Sequence, residues 1–190
     1  MEAARREKLL NLPNLLTLVR VGSIPLLVAL LYLPGNFWCG VAGLLFVVAG
    51  LTDLLDGWLA RRTKTVTMLG QYLDPVADKL LVASMLVVLT ELGRAPGWMT
   101  IIIICREIGV TGLRALAARN GLAVPSDMWG KAKTALQMLG IFLLIVHQPL
   151  AGLDADRWGL WALGLAVAIT AWSGLAYALR FRGLLLERRG

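Results

Sequence analysis

Charge is what this sequence most lacks. Only 16% of its 190 residues are Asp, Glu, Lys or Arg, whereas 58% are hydrophobic and the mean hydropathy is +0.72. That is too little charge to cover a soluble domain, so the composition points to a membrane setting. Two cysteines, Cys39 and Cys105, sit in separate apolar stretches and read as free thiols rather than a disulfide framework. The single histidine, His147, stands alone at a helix end, away from every other reactive group, which argues against imidazole catalysis or a histidine metal site. No Ser/Gly linker, charge block, low-complexity tract or internal repeat divides the chain, so residues 1–190 read as one domain. The opening Met1–Lys8 lacks the layout of a cleaved signal peptide, and residues 1–11 read as a short amphipathic segment on the membrane surface.

Six apolar segments of roughly 20 residues can each cross a bilayer. They lie near Leu12–Leu33, Cys39–Arg61, Thr67–Leu89, Trp98–Ala118, Trp129–Val146 and Trp158–Leu179. Turn chemistry separates them at Pro34-Gly35-Asn36, Gly93-Arg94-Ala95-Pro96-Gly97 and Gln148-Pro149. The expected fold is an all-α, six-helix transmembrane bundle, in which 20 glycines serve close packing and 7 tryptophans anchor the interfaces. Of 19 basic residues, 14 fall at the termini and in the two connections on one side, and the opposite connections hold only Arg94 and Arg157. By the positive-inside rule both termini are cytoplasmic. The basic residues ring one membrane face, which suits anionic lipid head groups rather than nucleic acid.

Against that background four aspartates stand out, in Asp53-Leu-Leu-Asp56-Gly57-Trp-Leu-Ala60-Arg61 and Gly70-Gln-Tyr-Leu-Asp74-Pro-Val-Ala-Asp78. A carboxylate in hydrocarbon costs several kcal/mol unless something compensates it, so such acids are functional candidates. Asp53, Asp56, Gly57 and Ala60 share one face of a helix, and Gly70, Asp74 and Asp78 form one stripe on the next. Four convergent carboxylates suit two hard divalent cations such as Mg²⁺ or Mn²⁺, and the small residues leave room for a phosphate-bearing ligand. The pattern points to two-metal phosphoryl transfer, with Asp53, Asp56 and Asp74 placed to hold the cations. Asp53 lies eight residues before Arg61, about 12 Å below the cytoplasmic surface at 1.5 Å per residue. A cytoplasmic-facing polar cavity follows.

The spacing D-x2-D-G-x2-A-R-x8-G-x3-D-x3-D is met in full by Asp53, Asp56, Gly57, Ala60, Arg61, Gly70, Asp74 and Asp78. It resembles the signature of the CDP-alcohol phosphatidyltransferases, membrane enzymes that move a phosphatidyl group from a CDP-linked lipid to an alcohol. Further stretches extend the likeness: Asn11-Leu-Pro-Asn14-Leu-Leu-Thr17-Leu-Val-Arg20, Leu73–Lys79, Cys105-Arg-Glu-Ile and Gly130–Gln137. They resemble the branch in which CDP-diacylglycerol and sn-glycerol 3-phosphate give phosphatidylglycerophosphate and CMP. The resemblance implies that Asp78, nearest the acceptor, is the general base and completes a metal shell. It implies that Asp53, Asp56, Gly57, Ala60, Arg61 and Gly70 contact the CDP-diacylglycerol, and that the enzyme is a homodimer in a bacterial-type cytoplasmic membrane.

An acceptor that already carries a phosphate needs a basic pocket, and Arg106, Arg114, Lys131 and Lys133 are the candidates. For Arg106 a salt bridge with Glu107 is the competing reading, and for the others an ordinary cytoplasmic-side charge. Asn14, Thr17 and Arg20 make a loose polar stripe on the first helix, suited equally to structural hydrogen bonding and to substrate contact. Two rival functions stand beside this one. A sister transferase would use another acceptor, such as a phosphoinositol or phosphatidylglycerol. A divalent-cation transporter would also bury acids in spans, but it places them near the midplane, whereas these crowd one leaflet.

Overall fold

The computed structural model describes the backbone of residues 12–63, 68–119, 128–149 and 152–187. Within those ranges the side chains of 12–14, 16, 53–63, 68–75, 114, 117–119, 128–129, 131 and 176–187 lie outside the described residues, as does the whole 1–11 segment. The described residues form six helices and no β-strand: α1 Leu12–Tyr32, α2 Asn36–Thr63, α3 Met68–Glu91, α4 Gly97–Arg119, α5 Met128–Val146 and α6 Ala155–Glu187.

Local chemistry sets their ends. Helix α3 closes in a Schellman motif: Arg94 N–H donates to Leu89 O at 2.8 Å and Gly93 N–H to Thr90 O at 3.0 Å. Gly93 takes the left-handed conformation that this motif requires, with φ 71°. Asp154 caps α6, its carboxylate accepting from Arg157 N–H at 3.1 Å, which starts that helix ahead of the expected Trp158.

Packing arranges the six helices in a closed ring in the order α1, α3, α4, α6, α5, α2, with α3 also touching α5 across the middle. The tightest pair is α5 with α6, and its cause is visible at two glycines. A Cβ on Gly140 would lie 2.9 Å from Leu163 N, and one on Gly159 would lie 2.9 Å from Leu144 Cγ. Small residues at these two positions let the backbones of α5 and α6 approach closely. Gly140→Leu is expected to lower bundle stability by about 1–3 kcal/mol or more, since backbone rather than a flexible side chain must yield. Unfolding in detergent measures this, and a variant of unchanged stability would contradict the packing.

The two ends of the ring differ. At the end holding residues 33–35, 92–96, 147–149 and 152–154, the described connections are tied together. Gln148 Nε2 donates to Asn36 O at 2.6 Å, and Tyr32 Oη to Glu91 Oε2 at 2.5 Å. Arg94 reaches Ile145 O at 3.1 Å, capping α5, and contacts Cys39 Sγ at 3.5 Å. Beneath them lies the apolar core of Leu27, Phe46, Met85, Leu89, Ile103, Leu144 and Leu163. Toward the other end the buried side chains turn polar: Thr17, Arg20, Lys133, Gln137, Thr170 and Ser173.

The outward faces are apolar. Leu18, Val19, Leu26, Ile101, Ile108, Leu165 and Trp172 are exposed, as are Phe37, Trp98, Trp158 and Trp161 close to the tied end. Among the described residues one stretch, Ala155–Leu175, is long and apolar enough to cross a membrane by itself. Shorter apolar pieces occupy Thr17–Tyr32, Asn36–Thr52 and Ala132–Val146, and all of them run to the tied end. In α2, α3 and α4 the hydropathy falls where Asp53 and Asp56, Asp74 and Asp78, and Arg106 and Glu107 interrupt the apolar runs.

Candidate active site

The aspartate motif is carried by two unbroken helices that run into and out of the polar end. Asp53, Asp56, Gly57, Ala60 and Arg61 occupy the last turns of α2, and Gly70, Asp74 and Asp78 the first turns of α3. Asp53 and Asp56 are one turn apart, as are Asp74 and Asp78, so the helical register on which the sequence argument rests is present. The side chains of Asp53, Asp56, Ala60, Arg61 and Asp74, and the surroundings of Gly57 and Gly70, lie outside the described residues. Asp78 is described and half-buried. Among the described residues no three Asp, Glu, His or Cys side chains cluster to hold a metal ion.

Helix α1 bears directly on this region. Arg20 is 2% exposed, and its Nε–H donates to Ala49 O at 3.2 Å, one turn before Asp53. Thr17, one turn earlier on α1, is also buried. Of the stripe Asn14, Thr17 and Arg20, the last two thus face inward, Arg20 with a structural bond to α2. The side chain of Asn14 lies outside the described residues.

A second polar centre joins α4, α5 and α6. Arg106 Nη1 donates to Glu107 Oε1 at 3.3 Å and its Nη2 to Ser173 Oγ at 3.0 Å. Lys133 Nζ pairs with the same Glu107 Oε1. The Lys133 side chain is 5% exposed and that of Arg106 16%, so both cations are largely removed from solvent. Arg106 Nε is buried and has no acceptor among the described residues. Lys133 and Arg106 are therefore brought together around Glu107, and for Arg106 this is the salt bridge that the sequence offers as the competing reading. The side chains of Arg114 and Lys131 lie outside the described residues. Beside this centre, a groove of about 230 Å³ runs between α3 and α4, with apolar walls and with Lys79 and Glu107 on its lining.

Residues 10–172 match the CDP-alcohol phosphatidyltransferase family. The chain belongs to that family. It is 40% identical over 179 residues to the CDP-diacylglycerol--glycerol-3-phosphate 3-phosphatidyltransferase of Bacillus subtilis, covering 88% of this chain and 93% of that relative. It is 42% identical over 177 residues to the protein of the same description from Pseudomonas fluorescens, covering 88% of each. A protein of Mycobacterium tuberculosis described as a probable phosphatidylglycerophosphate synthase is 37% identical over 182 residues.

As a CDP-alcohol phosphatidyltransferase the chain has polar residues that its sequence signalled only weakly. Glu107 had no role beyond a partner for Arg106, and Ser173 had none. The available signal was adjacency: an Arg-Glu pair inside an apolar span needs buried partners, and Lys133 and Ser173 meet that need. His147 pairs with Asp156 at 2.6 Å at the tied end, away from the motif helices.

Proposed function

We propose that this CDP-alcohol phosphatidyltransferase transfers the phosphatidyl group of CDP-diacylglycerol to sn-glycerol 3-phosphate, releasing phosphatidylglycerophosphate and CMP. The observation that carries the reading is the complete eight-position motif, set on two unbroken helices at the polar end of the bundle. The printed descriptions of the Bacillus and Pseudomonas relatives support the choice of acceptor.

The setting is a cytoplasmic membrane crossed by all six helices as one domain, with both termini and the site on the cytoplasmic side. Helix lengths support it: at 1.5 Å per residue the shortest, α5 with 19 residues, reaches about 29 Å, close to the hydrocarbon thickness. The exposed apolar faces support it as well, as does the apolar half that every shorter stretch directs toward the tied end. The homodimer rests on the family resemblance alone.

The donor set of the motif is entirely carboxylate oxygen, which fits hard divalent cations and not soft ones. Asp53, Asp56, Asp74 and Asp78 would hold two Mg²⁺ or Mn²⁺ ions, which when bound supply charge neutralisation for the donor pyrophosphate and the departing CMP. Gly57, Ala60 and Gly70 give the nucleotide room against the helix backbone, and Arg61 contacts its phosphate or polar face. Asp78 accepts the proton of the acceptor hydroxyl as the new P–O bond forms and the bond to CMP breaks. Arg106 and Lys133, joined by Arg114 and Lys131, receive the acceptor's own phosphate.

A panel of alcohols tests the acceptor. Purified protein with CDP-diacylglycerol and Mg²⁺ should release CMP with sn-glycerol 3-phosphate and far less with glycerol, serine or inositol; the reverse order overturns the acceptor assignment. Arg106→Ala should raise the apparent KM for sn-glycerol 3-phosphate about tenfold or more, the worth of a charged hydrogen bond of about 1.5–3 kcal/mol. The KM for CDP-diacylglycerol should move much less. An equal rise in both would signal unfolding rather than a lost phosphate contact.

A further inference from the structure

Among the described residues, the centre around Glu107 is short of negative charge. Two cations, the buried Lys133 and the partly buried Arg106, share one carboxylate oxygen, Glu107 Oε1. Arg106 spends its remaining described bond on a neutral hydroxyl, Ser173 Oγ, and its buried Nε has no acceptor among the described residues. Buried charges of one sign ordinarily come with enough counter-charge and acceptors to satisfy them, because an uncompensated one is costly. Here one carboxylate serves where a group with more charge and more oxygens would fit. A phosphate monoester has both.

The carboxylate is also the most exposed of the three groups: the Glu107 side chain is 20% exposed, against 16% for Arg106 and 5% for Lys133. Glu107 and Lys79 both line the groove between α3 and α4.

We infer that Glu107 is a built-in stand-in for the acceptor's phosphate. It keeps Lys133 and Arg106 charged and aimed inward while the pocket is empty, and it gives way when a dianionic phosphate monoester enters. Glu107 is thus a positioning and specificity-determining residue rather than a catalytic one. A neutral alcohol cannot displace a carboxylate from two cations, so selection arises from competition against an internal anion as well as from attraction. The inference rests on the acceptor-phosphate reading of Arg106 and Lys133 given above.

The test uses full-length protein in nanodiscs of neutral lipid in phosphate-free buffer, with inorganic phosphate as the probe. In Glu107→Gln the apparent KM for sn-glycerol 3-phosphate and the inhibition constant of phosphate against it should both fall about tenfold, the scale of one charge-assisted hydrogen bond. The KM for CDP-diacylglycerol should stay put. Glu107→Asp, which keeps the charge, should return both constants toward wild type. Phosphate should also raise the unfolding temperature of Glu107→Gln more than that of wild type, since it replaces the missing counter-charge.

If the Gln variant is unfolded without phosphate, recovery of the folded bundle in phosphate supports the stand-in, and failure to recover overturns it. Wild-type protein that uses sn-glycerol 3-phosphate, with a Gln variant whose constants are unchanged or weaker, overturns the stand-in alone. Wild-type protein that prefers an unphosphorylated alcohol, while phosphate still selectively stabilises the Gln variant, overturns the acceptor reading and supports the anion site.

Discussion

Asp74→Asn is expected to cut CMP release by about 100- to 1000-fold, the scale seen when one preorganised transition-state stabiliser is removed. Asp53→Asn and Asp56→Asn should do the same. Asparagine preserves the size and polarity of the side chain and removes its charge, so the loss falls on cation binding and not on helix packing. The three positions sit on unbroken helices at the polar end of the ring, where an amide is no worse accommodated than a carboxylate. The measurement is turnover in detergent alongside helix content and elution volume. A folded variant with near wild-type turnover would remove that carboxylate from the metal-binding set.

The second large effect concerns space. Gly57→Leu and Ala60→Leu should weaken CDP-diacylglycerol binding by at least about 100-fold, because nucleotide and backbone must come close at these positions. The same helix provides the contrast. A Cβ on Gly43 would meet Val146 Cγ2 at 2.8 Å and Phe142 Cε2 at 3.3 Å, so leucine there should unseat α5 and lower stability. One on Gly50 would meet the flexible end of Met138 at 2.5 Å, so leucine there should cost less. Binding and unfolding measured on all four variants separate the two kinds of small residue. Normal nucleotide binding by Gly57→Leu would reassign that glycine to helix packing.

The helices themselves were legible because their signals are local. Pro34-Gly35, Gly93 and Gln148-Pro149 mark breaks by backbone chemistry, and the six expected segments coincide with six helices whose ends differ by a few residues, α6 excepted. Helix α6 continues past the expected Leu179 to Glu187, Arg180 and Arg182 being good helix formers. The ring order was not legible, since it depends on contacts such as that of Gly140 with Leu163, and no local pattern announces which helices meet.

The same division holds for the site. The aspartate spacing could be read because each helix displays its acids at intervals of one turn. What several basic residues do could not. Arg94 counted as a loop charge, yet it caps α5 across 51 positions of sequence. Arg20 belonged to a loose stripe, yet it is buried and bonded to the carbonyl of Ala49. Lys133 was a candidate phosphate ligand, and its carboxylate partner lies 26 residues away on another helix. Each outcome depends on a neighbour that is distant in the chain.

The central claim is that four acids on α2 and α3 hold divalent cations for phosphatidyl transfer, and metal dependence tests it most directly. Purified protein supplied with CDP-diacylglycerol and sn-glycerol 3-phosphate should release no CMP in excess chelator, and activity should return when Mg²⁺ or Mn²⁺ is added back. Full activity in excess chelator would contradict the account.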